Sequence, residues 1–190
     1  MVVAQTQVPQ PTSHDLRALL KGEILLHTRP HSAWGGAVTA QMYLPVPHTE
    51  VWQQLTDYSR WTQFFPDMTR SEVIHEVLQS GIPGGATVKR KVKRLYQAAS
   101  KAFLFLTAQV EIYLKVLETH HQRIQFYMES GSFNDFTADL EIQSCGEGTI
   151  LTYSVQATPN IPVPSAFIQQ AIRMDLPTNM KQMRHVICNP

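Results

Sequence analysis

The chain has 190 residues, of which 43% are hydrophobic and 16% charged, with a net charge of +1. The charged share is well below the roughly 25% of ordinary globular proteins, and the near-neutral balance removes any global electrostatic case for nucleic-acid binding. The length fits one domain with a sizeable core, and no apolar run reaches the ~18 residues that cross a bilayer.

Residues 1–11 include Gln5, Gln7, Pro9, Gln10 and Pro11 and show neither the basic start nor the apolar stretch of a signal peptide. They read as a flexible lead, so a soluble, cytoplasmic chain is expected. Thr12 or Ser13 caps a short helix with Leu16, Leu19 and Leu20 on one side, ending at Gly22. A strand over 23–28 and a turn over 29–36 follow, so residues 12–34 form an N-terminal helix and extra strand ahead of a domain over 35–190. From Ala37 to Leu44, Val38, Ala40, Met42 and Leu44 alternate with Thr39, Gln41 and Tyr43, which marks a half-buried strand.

Pro47 suits a first helical position, where its missing N–H costs nothing. Val51, Leu55 and Tyr58 then share one helical stripe with Trp52 beside it, and a second short helix starting at Asp57 or Ser59 ends at Pro66. This is an elbow, too short to be a bundle. Strands are expected over 71–79, 86–96, 103–118, 123–129, 134–143 and 149–158, separated by Gly-bearing turns and the His120-His121 turn. Leu104, Leu106, Ala108, Val110, Ile112, Leu114 and Val116 make one continuous apolar face. The final segment carries Phe167, Ile168, Ala171, Ile172, Leu176, Met180, Met183 and Ile187 at helical spacings, with Pro177 expected to kink or split it. A sheet with one apolar face needs such a cover. Cys145 and Cys188 lack metal or redox spacing and read as two buried or free thiols of a reducing compartment, with a disulfide between them the alternative.

The motifs Val46-Pro47, Val51 to Tyr58, Trp61, Phe64 and Pro66 set up a resemblance. Gly131-Ser132-Phe133, Gly148-Thr149 with Leu151-Thr152-Tyr153, and Asp175-Leu176-Pro177 with Asn179 complete it. Over about residues 36–188 the chain resembles the START-like (SRPBCC) helix-grip superfamily. The branch it looks most like is the coenzyme-Q-binding and polyketide cyclase/dehydrase-lipid transport one, of cyanobacterial or plastid type. The resemblance implies an α+β helix-grip fold. A curved antiparallel sheet of about seven or eight strands would wrap a long C-terminal helix, with two short helices after the first core strand. It implies non-covalent binding or transport of a lipid or isoprenoid quinone in an internal cavity. The alternatives are a cyclase or dehydratase using that cavity, and a membrane-associated or protein assembly factor. Fold-level likeness alone does not choose among them.

The expected cavity lining is Trp61, Phe64, Phe65, Val88, Val92, Tyr96, Leu106, Val110, Tyr153, Phe167, Ile168 and Ile172. Trp61, Phe64 and Phe65 serve either as a lip gripping the ligand or as a pin holding the elbow to the sheet. Strand alternation puts Lys89, Lys91 and Lys93 on one face, and Arg90 and Arg94 on the other with Val88, Val92 and Tyr96. An exposed lysine row attracts anionic headgroups by roughly 1 kcal/mol per charge, giving a peripheral membrane contact. Inward arginines would meet a polar end of the cargo; the plain reading is an edge strand guarded by lysines. Met174, Met180 and Met183 offer an adaptable ceiling or ordinary core filling. His120-His121 reads as a polar turn facing solvent, and Glu111 and Asp139 as hydrated carboxylates, although Tyr96, Glu111 or Tyr153 would have to converge for catalysis. With no G-x-S-x-G, Walker or HExxH pattern, no catalytic residue, metal or cofactor is predicted.

Overall fold

The protein is described here from a computed structural model covering residues 11–79, 90–103, 106–160 and 165–189. The predicted turn over 81–85, Val88, Lys89, Pro162 and Pro164 lie outside the described residues. Helix α1 (Ser13–Leu20) opens on a capping box: the Thr12 hydroxyl accepts from the Asp15 N–H at 3.2 Å, and the Asp15 carboxylate accepts from the Thr12 N–H at 3.0 Å. Its Leu19 is fully buried.

Eight strands follow: β1 (Ile24–Ser32), β2 (Gly35–Leu44), β3 (Met68–Gln79), β4 (Arg90–Phe103), β5 (Leu106–Thr119), β6 (Arg123–Gly131), β7 (Phe133–Cys145) and β8 (Gly148–Pro159). They form one sheet in the order β1-β2-β8-β7-β6-β5-β4-β3, with every pairing antiparallel. Hairpins account for all neighbours except β2 and β8, whose register sets Ala40 opposite Tyr153. Register shifts at Val73/His75, Tyr113/Leu114 and Phe133/Asp135 insert residues that bend the strands. Between β2 and β3 lie α2 (His48–Thr56), a 3-10 turn (Tyr58–Arg60) and α3 (Trp61–Phe64); α4 (Ser165–Cys188) closes the chain.

Period-two alternation gives the sheet two unlike faces. The outer face is tied by side-chain pairs across strands: Thr39 with Ser154 at 3.1 Å, Gln41 with Thr152 at 3.1 Å, and Arg123 with Asp139 at 2.9 Å. The inner face is apolar over β2, β8, β7 and β6 and packs against the elbow and α4. Leu176, Met180, Met183 and Ile187 form the buried stripe of α4. Arg173 donates to Thr28 Oγ1 at 3.1 Å, Gln182 to the Gln63 carbonyl at 3.2 Å and Arg184 to the Gly22 carbonyl at 2.8 Å, so α4 lies along β1 and meets α3.

Three local expectations change. β1 continues through Pro30 to Ser32 instead of turning at 29, because an edge strand tolerates a proline, here at a register shift. β4 runs on to Phe103, since 97–102 contains no glycine or proline to stop it. Pro177 does not split α4: the buried Leu176 and Met180 flanking it hold the helix to the core. Gly131, by contrast, is required where it stands. Its φ is +145°, and a Cβ there would collide with the Glu111 carbonyl oxygen.

Candidate functional site

The inner face is packed unevenly from one end to the other. Met42, Leu44, Leu95, Leu114, Val116, Ile124, Phe126, Leu140, Ile142 and Leu151 are 0–5% exposed. The elbow lies on them: Trp61 sits 5.0 Å from the Phe126 ring, and its indole N–H donates to the Leu55 carbonyl at 3.0 Å. Further along the same face Val110, Met128, Phe133, Phe136 and Val155 are only half-buried. Their registers (Val155 with Ala138, Met128 with Leu114, Val110 with Ala99) continue the inner face without a change of side. Phe65 stands at the boundary, half-buried, with its ring 6.1 Å from the buried Tyr153. Burial alone drives the Tyr153 hydroxyl pKa far above its ordinary value.

The wall formed by β3, β4 and β5 has polar positions. Lys93 is 8% exposed, and its ammonium lies 2.8 Å from the Glu118 carboxylate. Tyr58, on the elbow, donates to the same carboxylate oxygen at 2.7 Å, while the Lys93 ammonium stands 4.9 Å from the Tyr58 ring centre. Burial first, then the Glu118 charge and hydrogen bond, raise the Tyr58 pKa well above normal, so the phenol stays protonated. The phenol proton and the lysine charge are therefore both engaged by one carboxylate. Two pleat repeats further along β4, Gln97 Nε2 donates to Ser71 Oγ at 3.2 Å, and both residues are 7% exposed.

This geometry revises several of the predicted positions. Lys93 faces inward beside Leu95 and does not belong to an exposed lysine row; Lys89 lies outside the described residues, and only the backbone of Lys91 is described. Val92 and Tyr96 therefore face outward. Tyr96 donates to Glu111 at 3.1 Å on the outer face, and Arg94 pairs there with Glu129 at 2.6 Å. The Tyr96–Glu111 pair is thus on the opposite side of the sheet from Tyr153. Trp61 and Phe64 are 3% and 0% exposed and pin the elbow; Phe65 alone of the three reaches the half-buried region. Val110 and Ile168 are half-buried. Leu106, Phe167 and Ile172 lie in β5 and α4, with only their backbones described, and Val88 falls outside the described residues. Met180 and Met183 are core residues, whereas Met174 is 69% exposed.

Two clusters escaped the sequence reading. Glu118 continues the β5 parity of Leu114 and Val116, a signal that identifies it as inward, but the partner on β4 is fixed only by the β4–β5 register. His120 and His121 are stacked at 3.7 Å, His48 is 5.6 Å from His121, and Trp52 is 5.5 Å from His120. His48 Nδ1 also bonds Ser144 Oγ at 3.0 Å. Among the described residues no group of three His, Cys, Asp or Glu side chains is arranged to hold a metal ion, and no helix is long and apolar enough to cross a membrane.

Residues 44–184 match the family described as polyketide cyclase / dehydrase and lipid transport, and the chain belongs to that family. No curated protein matches it. Among solved structures it is similar to the STAR-related lipid transfer protein of Xanthomonas axonopodis, with a TM-score of 0.63 and 15% identity over 86% of this chain and 93% of that one. It is also similar to human STARD10, with a TM-score of 0.59 and 14% identity over 97% and 82%. The Zhui aromatase/cyclase of Streptomyces sp. R1128 gives a TM-score of 0.58 and 11% identity over 85% and 92%. At these identities the likeness is one of fold, the START-like helix-grip fold.

Proposed function

We propose that the protein binds and transfers an apolar small molecule, a lipid or an isoprenoid quinone, without covalent chemistry. The guest would lie on the inner face beyond the elbow, between Phe65 and Tyr153 at one end and Phe133 and Phe136 at the other. The observation that carries this reading is the loss of burial along one continuous apolar face, from 0–5% exposure under the elbow to half-burial at Val110, Met128, Phe136 and Val155. Protein interiors are ordinarily packed as tightly as organic crystals, so half-burial on this face supports a guest being held there. Each CH2 removed from water contributes about 0.8 kcal/mol, and a prenyl chain gains enough from many such groups to bind with few polar contacts. Family membership supports the same reading. So does the fold shared with a protein described as STAR-related lipid transfer.

Residues 35–190 would form the ligand-binding domain, with 12–34 an addition to it, in a cytoplasmic protein. The test is mass spectrometry of an organic extract of the natively purified protein. One apolar species near one equivalent per chain is expected; an extract free of apolar molecules, from protein that also fails to take up added lipid or quinone, would refute the proposal.

A further inference from the structure

Resting on the ligand site just proposed, we infer that its guest carries an uncharged, oxygen-bearing head that hydrogen-bonds to Gln97 and Ser71. The inner face has unlike sides. Across the described inner positions Val38, Ala40 and Met42 of β2, Ala138 and Leu140 of β7, and Leu151, Tyr153 and Val155 of β8, the Tyr153 hydroxyl is the one polar group; Ser144 and Thr149 lie nearer the elbow, where they bond His48 and the Val46 carbonyl. Facing them, β3 and β4 place Ser71 opposite Gln97. A solely hydrocarbon guest gains nothing from such a pair, because a buried amide and hydroxyl cost free energy wherever their hydrogen-bonding capacity goes unused.

The bond the pair shares engages part of that capacity. A primary amide has two N–H donors and a carbonyl acceptor, and a serine hydroxyl both donates and accepts. The described pairing uses one Gln97 N–H and one Ser71 lone pair. The position fits as well. Gln97 stands opposite Ile112 on β5, and two residues on, Ala99 and Val110 are opposite one another and half-buried. The pair therefore sits where tight packing gives way to half-burial.

Charge decides which kind of head fits. Among the described side chains, Lys93 is the cation on this part of the inner wall, and Glu118 already matches it under Tyr58. A carboxylate or phosphate entering here meets no free counter-charge among the described side chains, and a buried anion without one is strongly unfavourable. A carbonyl, quinone or alcohol oxygen needs only hydrogen-bond partners, which an amide and a hydroxyl supply beyond the one bond they share.

The experiment is a binding comparison on the full chain with three probes of equal alkyl length: an alkyl benzoquinone, the corresponding alkylbenzene, and the fatty-acid anion. The quinone is expected to bind at least about tenfold more tightly than the alkylbenzene, the equivalent of one net hydrogen bond, and the anion most weakly. Combined Gln97→Met and Ser71→Ala substitution should abolish the quinone preference, with alkylbenzene bound at least as tightly as by the wild type. Equal affinities for quinone and alkylbenzene in the wild type, tightest binding of the anion, or a preference that survives the double substitution would each overturn the inference while leaving an apolar ligand site in place. Failure of all three probes to bind would bring down the site itself, and the inference with it. The wild-type comparison stands even where the substituted chain fails to fold.

Discussion

Lys93 and Glu118 form a buried ion pair across β4 and β5, 2.8 Å from ammonium to carboxylate, although the residue opposite Lys93 in the register is Val116. The lysine reaches diagonally to meet the carboxylate that also accepts from Tyr58, so the pair fastens the elbow to the sheet as well as two strands to each other. Removing one member of such a pair leaves an uncompensated charge in the core.

Lys93→Met is accordingly expected to destabilise the protein by about 3–5 kcal/mol. Adding Glu118→Leu should recover part of that loss: it removes the stranded charge but leaves the buried Tyr58 hydroxyl without its acceptor. Urea denaturation of the two variants checks the cycle; equal losses in both would show that the pair is not the cause.

The elbow's aromatic rings should separate by role. Trp61→Ala removes a ring that is 3% exposed and a hydrogen bond to Leu55, for an expected loss of about 3–5 kcal/mol. Phe65→Ala removes a half-buried ring and should cost less than about 2 kcal/mol, while weakening uptake of an apolar probe several-fold. Thermal melts read alongside probe titrations distinguish pin from lip.

Acid should loosen the end of the molecule where α2 meets the β5–β6 turn. Burial, then the neighbouring His120 and His48, lower the His121 pKa below its ordinary 6.5. The fold thus favours the neutral ring. Its contribution is complete above the ordinary value and is lost as the pH falls from there through the lowered folded value. Glu50 on α2 and Glu147 in the β7–β8 turn are the exposed carboxylates on the neighbouring elements. His121 has φ +59°, a conformation that asparagine also adopts. His121→Asn should therefore flatten the fall in melting temperature between about pH 7 and pH 5 without disturbing the turn. Trp52 fluorescence reports the same event, since both imidazoles of the turn lie within 5.9 Å of its ring.

Strand alternation and helix spacing were enough to read most of this architecture. The apolar faces of β2 and β5, the elbow from Pro47 to Pro66 and the α4 stripe follow from local periodicity, which does not depend on knowing what packs opposite. The β4 faces were read the wrong way round for a physical reason. A lysine is expected outside unless a carboxylate is waiting for it, and Glu118 is 25 residues downstream of Lys93 in the numbering. The pairing of Gln97 with Ser71 and the edge-on contact of His120 and His121 with Trp52 share that dependence. Each needs a register or a crossing between distant segments, and neither composition nor spacing encodes it.

The methionine methyl groups allow the central claim to be put to a direct measurement. Met42, Met180 and Met183 are 0% exposed in the packed core, while Met68 and Met128 are half-buried on the inner face. Methyl-resolved NMR during titration with an alkyl quinone should move the Met128 resonance, and Met68 with it, and leave Met42 and Met183 in place. Saturating quinone with every methyl resonance unmoved, or with shifts spread evenly through the core methionines, would contradict an apolar guest bound beyond the elbow.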